Sequence, residues 1–285
     1  MQTVRSRRVL GAVLALFMTA SASAQSSRPA AVQSPRVYVL DGGVLASETA
    51  RYRLTDADVQ EVPISVASFL IVHPRGTLLW DTGYIPDSAF PANGGPAKNG
   101  VFAATKKLTT QLAEIGYKPE QITYLGLSHY HSDHTGNANL FAGSTWIVQE
   151  SEYEAMFGGQ QRGIQERSSY DKLKDAKRIT LKNEDRDVFG DGTVVIKTAP
   201  GHTPGHQMLF LRLAKFGPVL LAGDLYHFPE EKALDRVPTF DGDAAMTRVT
   251  RKKVDEFVKQ TGAQMWIEHD KTTHEKLKKS PQFYE

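Results

Sequence analysis

Apolar and polar positions alternate through "RVYVLDGG", which begins an ordered region at residue 36. Two apolar runs follow, "ISVASFLIV" and "TLLWDTG", and the Pro and Gly of the intervening "HPRG" predict a β-hairpin. From Tyr84 to Gly100, "YIPDSAFPANGGPAKNG" is too rich in Pro, Gly and Asn for regular structure and reads as a functional lid or a disordered loop. Val101, Ala104, Leu108, Leu112 and Ile115 then recur at helical intervals, with Gly116 placed to cap the helix end. "ITYLGLS" and "STWIVQ" read as buried strands, and residues 150–175 as polar helix interrupted at "FGGQ". "GTVVIKT", "QMLFLRL" and "PVLLAGD" are three further strands. Met246, Val249, Val254, Phe257 and Val258 mark a second amphipathic helix, "AQMWIEHD" a last strand, and Thr272 to Lys279 a short final helix. No repeat or linker interrupts residues 36–285, which predicts one α/β domain with helices packed on sheets.

The ends of the chain and its composition narrow the setting. Residues 25–35, "QSSRPAAVQSP", form a flexible lead-in. Before it, Arg5, Arg7 and Arg8 precede an apolar run of about 12 residues, short of the roughly 20 that span a bilayer. Small residues at Ala22 and Ala24 complete the order of a cleaved secretory signal over residues 1–24. The expected location is therefore periplasmic or secreted, with no stable membrane anchor after cleavage. The general secretory route is expected; "SRRVL" also resembles a twin-arginine signal. At 40% hydrophobic and 23% charged residues, the 285-residue chain should bury a core, and a net charge of +2 argues against a nucleic-acid partner. Cysteine is absent, which excludes a thiolate nucleophile, a disulfide and a Cys-ligated metal. Any metal must rest on His, Asp and Glu, a donor set that suits Zn, Co, Mn or Fe.

"LSHYHSDHTGN" supplies such donors. His129 and His131 can converge on one ion, whereas Asp133 and His134, being adjacent, do not easily face the same way. Two ions solve this, and since each wants about four ligands, the rest must come from downstream. "APGHTPGH" offers His202 and His206; "LLAGDLYHF" offers Asp224 just past an apolar strand; "WIEHD" offers His269 past another. A carboxylate at a strand end can bridge. The set then closes as His129, His131, His202 and Asp224 on one ion, and Asp133, His134, His269 and Asp224 on the other. His206 is expected to hold the loop that presents His202. His73 and His274 are expected to be structural.

HxHxDH at 129–134, "GHTPGH" at 201–206, "GD" at 223–224, "HD" at 269–270 and "WDTG" at 80–83 together resemble the metallo-β-lactamase superfamily, over about residues 36–275. The resemblance implies an αβ/βα sandwich of two mixed β-sheets flanked by helices, a dinuclear centre at one sheet edge, and Asp81 orienting a ligand histidine. A carboxylate at Asp224 is similar to the lactonase, glyoxalase II, nuclease and phosphotriesterase branches rather than the β-lactamases, whose members usually carry Cys or Ser there. Glyoxalase II relatives add a long helical C-terminal domain, and only a short segment follows His269 here. The N-acyl-homoserine lactonase branch fits best. It implies a metal-dependent hydrolase that opens the lactone ring by attack of a hydroxide shared between two ions, Zn first among the candidates, with Asp133 passing a proton. An organophosphate hydrolase is the alternative, ahead of a β-lactamase or a non-catalytic metal-binding protein. The lactonase pattern has a Tyr three residues after the bridging Asp; here that position is His227, with Tyr226 one residue earlier, so either could assist the oxyanion, His227 being preferred. Phe90, Pro91 and Phe102, with Met156 and Phe157, are expected to line an acyl-chain groove. A homodimer is compatible with this reading.

Overall fold

A computed structural model describes residues 31–59, 62–159 and 165–285. The expected leader, and the lead-in as far as residue 30, lie outside them. Within the lead-in's described part, Val32 and Pro35 are buried and Ser34 Oγ donates to Glu285 at 2.8 Å, so this stretch packs onto the domain.

Strands β1 (Arg36–Leu45), β2 (Ile64–His73) and β3 (Gly76–Trp80) make an antiparallel meander. The middle strand, β2, is buried along its whole length, in keeping with its largely apolar sequence. A small hairpin of β4 (Ala97–Asn99) and β5 (Phe102–Ala104) extends the sheet beyond β1. On the other side β6 (Tyr124–Gly126), β7 (Thr145–Gln149) and β8 (Arg178–Leu181) join in parallel, giving the order β4-β5-β1-β2-β3-β6-β7-β8. A second sheet runs β13-β12-β11-β10-β9. It comprises β9 (Arg186–Asp187), β10 (Val194–Thr198), β11 (Gln207–Leu213), β12 (Gly217–Leu221) and β13 (Gln264–Trp266), the last parallel to β12.

Side-chain alternation decides what each face meets. Ala67, Phe69 and Ile71 of β2 join Leu209 and Leu211 of β11 in the core between the sheets. The opposite face of β2, Leu70 and Val72, packs with Leu108 and Leu112 of α1 (Leu108–Glu114) and Met156 of α3 (Glu150–Phe157). On the second sheet, Met208 and Phe210 meet Val254, Phe257 and Val258 of α5 (Ala244–Thr261). The layers therefore run helix, sheet, sheet, helix, the expected sandwich. Short helices α2 (Ser132–Thr135), α4 (Pro229–Ala233) and α6 (Lys271–Lys276) follow strand ends. No helix among the described residues is long and apolar enough to cross a membrane.

The structure corrects several expectations. The first helix begins at Leu108, because Phe102–Ala104 is a strand; the helical spacing of Val101 and Ala104 is coincidental, and Val101 is exposed. The segment 84–100 is correspondingly not all loop. In α5, Met246 and Val249 face solvent, while Thr247, Thr250, Arg251 and Val254 are buried. The short strands β8 and β9 carry too few apolar residues to be read from pattern.

Candidate metal centre

The residues singled out by spacing collect where the strands of both sheets end. Asp81 follows β3, the segment Leu127–His134 follows β6, Asp224 follows β12 and His269 follows β13, while His202 lies in the β10–β11 connection. Parallel neighbours deliver their carboxyl ends to one edge, the usual place for a site in α/β sheets. The turn at Asp224 needs Gly223: its φ is +51°, and a Cβ there would sit 2.7 Å from His206 Nε2. The close approach lets the Asp224 backbone N–H donate to His206 Nε2 at 3.0 Å, while His206 Nδ1 donates to the Ala199 carbonyl at 3.0 Å. His206 thus ties the base of the His202 loop to Asp224, a structural part, as expected.

The two carboxylate oxygens of Asp224 are shared between two groups. Oδ2 lies 3.5 Å from His129 Nε2 and 3.3 Å from His202 Nε2, and His202 Nε2 is in turn 3.0 Å from His131 Nδ1. Oδ1 lies 3.1 Å from His134 Nε2 and 3.1 Å from His269 Nε2. Asp133 completes the second group, 3.7 Å from His269 and 3.9 Å from His134. The structure brings the seven residues together as His129, His131, His202 and Asp224 in one group and Asp133, His134 and His269 in the other, with Asp224 Oδ1 reaching the second through His134 and His269. His129 Nε2, His134 Nε2 and Asp224 Oδ1 are buried without any hydrogen bond. Each such atom costs roughly 1–3 kcal/mol, so convergent orphaned donors on imidazole and carboxylate fit a pair of divalent cations.

The rings are aimed by their far nitrogens. His129 Nδ1 meets Ser128 Oγ at 3.0 Å, His134 Nδ1 meets Asp81 at 3.1 Å, His202 Nδ1 meets Asp241 at 2.9 Å, and His269 Nδ1 donates to the Ser65 carbonyl at 2.6 Å. Such partners fix tautomer and orientation. Asp81 also accepts from Ser128 N at 2.6 Å, and it does so from a left-handed backbone conformation, φ +57°. Asp tolerates that region better than most residues, and here the conformation faces a ligand.

Burial first, then neighbouring imidazoles, hold His129 and His131 well below the usual histidine range, in the neutral form that ligates metals. Burial would raise Asp224, but His134, His269, His129 and His227 outweigh it and keep the carboxylate ionised.

His227 and Tyr226 part company. His227 Nε2 lies 3.1 Å from Asp224 Oδ2, and its Nδ1 and backbone N both approach Glu231 Oε1 at 3.2 Å. Glu231 is buried and accepts from Arg251 Nη2 at 2.7 Å. Tyr226 points the other way. Its ring lies under the Arg251 guanidinium at 4.2 Å, within the core beneath α5, so it cannot assist at the centre. Consecutive residues in extended backbone face opposite sides, and Tyr226 is extended.

Several residues of the centre carried no signal in the sequence. Asp241 reads like a helix-capping residue ahead of α5. Glu268, whose Oε1 is 3.6 Å from His134 Nδ1, is pushed well above the usual carboxylate range, chiefly by burial. Tyr52 packs its ring on His227 with centroids 4.9 Å apart and bonds Ser47 Oγ at 2.9 Å, from a segment remote in sequence.

The expected apolar groove is not built as supposed. Met156 and Phe157 belong to the core beside Trp146 and Tyr170. Phe90 is buried with Ile85, Ala97 and Ala104. Phe102 stacks on Tyr84, and Tyr84 in turn lines a cleft of about 490 Å³ beside Ser132 and Gly136, with Pro86, Asn99 and Leu140. Among the described residues this cleft is more polar than an alkyl chain alone requires.

Known proteins share both sequence and architecture with this chain. A curated N-acyl homoserine lactonase, AttM, from Rhizobium radiobacter is 32% identical, over 87% of this chain and 98% of its own length. AttM from Azorhizobium caulinodans is 30% identical, over 88% of this chain and 98% of its own. The solved structure of an N-acyl homoserine lactone hydrolase, with the product N-hexanoyl-L-homoserine at its catalytic metal centre, is 25% identical. It superposes with a TM-score of 0.72 over 88% of this chain and 100% of that one. The model of the metallo-beta-lactamase superfamily matches residues 62–260, which include every candidate ligand named above except His269. With the sandwich fold and the seven-residue centre in place, the chain belongs to the metallo-beta-lactamase superfamily.

Proposed function

We propose that this protein is a metal-dependent hydrolase that opens the lactone ring of N-acyl-homoserine lactones, and so a quorum-quenching enzyme. What carries the substrate class is the likeness to curated lactonases, at 30–32% identity over 87–88% of this chain. Two divalent ions in this cradle would supply a nucleophile from water at neutral pH and a Lewis-acid pull on the carbonyl oxygen. Zinc is the first candidate among the divalent ions that imidazole and carboxylate donors suit, with Co, Mn and Fe the others.

The chain's own residues account for the proton traffic. Asp133 is the least enclosed carboxylate of the set, with 10% side-chain exposure, and is placed to hold the proton of the attacking water and pass it to the departing alcohol oxygen. His227 occupies the place of the family's tyrosine. Burial lowers its basicity, but Asp224 and Glu231 raise it further, to about 9. Nε2, 3.1 Å from Asp224 Oδ2, is the ring nitrogen that faces the centre and from which a hydrogen bond to the developing oxyanion would come. Glu231 holds Nδ1 and thereby the ring.

Export belongs to the same reading, supported by the Arg5–Arg8 cluster, the apolar run and the small residues before Gln25. The deciding experiment is a substrate panel on purified, metal-analysed protein: an N-acyl-homoserine lactone, a phosphotriester and a β-lactam. Turnover of the lactone well above the other two is expected. Preferential turnover of the phosphotriester would replace this reading.

A further inference from the structure

Glu152, on α3, belongs to neither ligand group, yet only 2% of it is exposed. A buried carboxylate without an adjacent cation is costly by several kcal/mol unless donors satisfy it. Its donors come from two segments. Tyr130 N donates to Oε1 at 2.8 Å; Thr203 Oγ1 lies 2.9 and 2.8 Å from the two oxygens; Gly205 N donates to Oε2 at 2.8 Å. Burial pushes the carboxyl up to about 7, and these same donors act against that rise.

The identity of the two segments gives the contact its meaning. Tyr130 stands between His129 and His131, and Thr203 follows His202. Glu152 therefore fastens together the two stretches of backbone that carry all three histidines of one ligand group. Within that group, His129 is aimed by Ser128 and His202 by Asp241, but among the described residues His131 has no comparable anchor on its ring. Its placement depends on the backbone beside it, which Glu152 holds. The other group has anchors of its own, Asp81 on His134 and the Ser65 carbonyl on His269, and shares only Ser128 Oγ, which lies 3.0 Å from His129 Nδ1 and 3.1 Å from His134 Nδ1. The same two segments are also joined at their bases, where Gln207 N meets the Ser128 carbonyl at 2.9 Å and Gln207 Nε2 the Leu127 carbonyl at 2.9 Å. Folding therefore does not hang on Glu152 alone.

We infer that Glu152 is a positioning residue for one metal only: it sets His131 against His202 and so governs the affinity of the ion held by His129, His131, His202 and Asp224. The inference rests on the metal-centre part of the proposed function and not on its substrate.

The test is a competition titration of chelator-stripped protein with Zn²⁺ and a chromophoric chelator. Glu152→Gln keeps the shape and removes the carboxylate. It should weaken one of two zinc equivalents by about 10–100-fold, the usual effect of losing an outer partner of a ligand. In a His269→Ala background, which leaves the His129 group intact, the same loss should appear. In a His202→Ala background Glu152→Gln should change nothing further. Unaltered affinity in the first background, or equal loss in both, overturns the inference. If circular dichroism shows Glu152→Gln unfolded, Thr203→Val decides: it removes one donor and should produce a smaller loss confined to the same ion, and no change in affinity would overturn the inference. Because no substrate is used, the outcome is independent of which ester the enzyme cleaves.

Discussion

Asp224 Oδ1 stands 3.1 Å from His134 Nε2, and neither atom has a hydrogen-bond partner. Atoms so close, so buried and so poorly aligned with one another are arranged about a position between them. Because the second oxygen of Asp224 serves the other histidine group, removing this side chain damages both halves of the centre at once. Asp224→Ala is expected to lower lactone hydrolysis by about a thousandfold or more, since metal stabilisation of a transition state is worth several kcal/mol. Initial rates and zinc content measured on the same preparation check this. Wild-type turnover with both ions retained would contradict the shared role.

Metal removal should be felt in stability as well as in rate. Five histidines and two carboxylates are buried in contact with one another, an arrangement that cations relieve. An ion present at a thousand times its dissociation constant stabilises the folded state by about 4 kcal/mol, and two such ions would move Tm by on the order of 10–20 °C in a domain of this size. Thermal melts of chelator-stripped and zinc-restored protein should show that gap. Superimposable melts would mean that the ligands fold equally well around nothing.

The outcome also shows which parts of the centre the sequence disclosed. HxHxDH and the strand-end residues Asp224 and His269 could be read because metal ligands cluster within short turns or sit just past apolar runs. The largely apolar β2 and β11 showed an α/β domain with helices packed on sheets, while the sandwich itself was legible only through the family resemblance carried by the motifs. Glu152, Asp241 and Tyr52 could not be read. Each acts through a contact between distant segments, and an isolated Glu, Asp or Tyr has ordinary surface or core explanations. The misplaced helix start at Val101 has a different cause: two apolar residues of a hairpin fell by chance on helical spacing, and β-pairing with β1 overrode it. Tyr226 and His227 were separable in principle, since extended backbone sends neighbours to opposite faces, but the sequence did not reveal that this stretch is extended.

That separation gives a direct comparison. His227→Phe keeps the ring volume against Tyr52 and Phe240 but removes the donor aimed toward Asp224. Loss of one oxyanion donor costs about a hundred- to a thousandfold in kcat, with KM little changed. Tyr226→Phe removes a hydroxyl beneath α5 and should leave kcat within about twofold, its effect confined to stability at about 1 kcal/mol. The reverse pattern, with Tyr226→Phe crippled and His227→Phe active, would overturn the assignment.

A last expectation concerns acid sensitivity away from the metals. His274, on α6, is buried and its Nε2 has no hydrogen-bond partner. Burial first and the positive charge of Lys279 next lower it from 6.5 to about 3, with Glu275 opposing. The folded protein therefore keeps this ring neutral through a range in which the unfolded chain takes up a proton. A depressed folded value of this kind gives stability that is fully present above about pH 6.5 and drains away as pH falls toward about 3, amounting to on the order of 4 kcal/mol across the whole window. His274→Leu replaces the ring with an apolar side chain that has nothing to titrate. Chemical denaturation of chelator-stripped wild type and variant at pH 7.5, 6.0 and 4.5 should show wild type losing stability relative to His274→Leu at each step down, whatever the offset between them at pH 7.5. Parallel pH profiles would mean that His274 gains a partner when protonated, and that the acid sensitivity of the fold lies elsewhere.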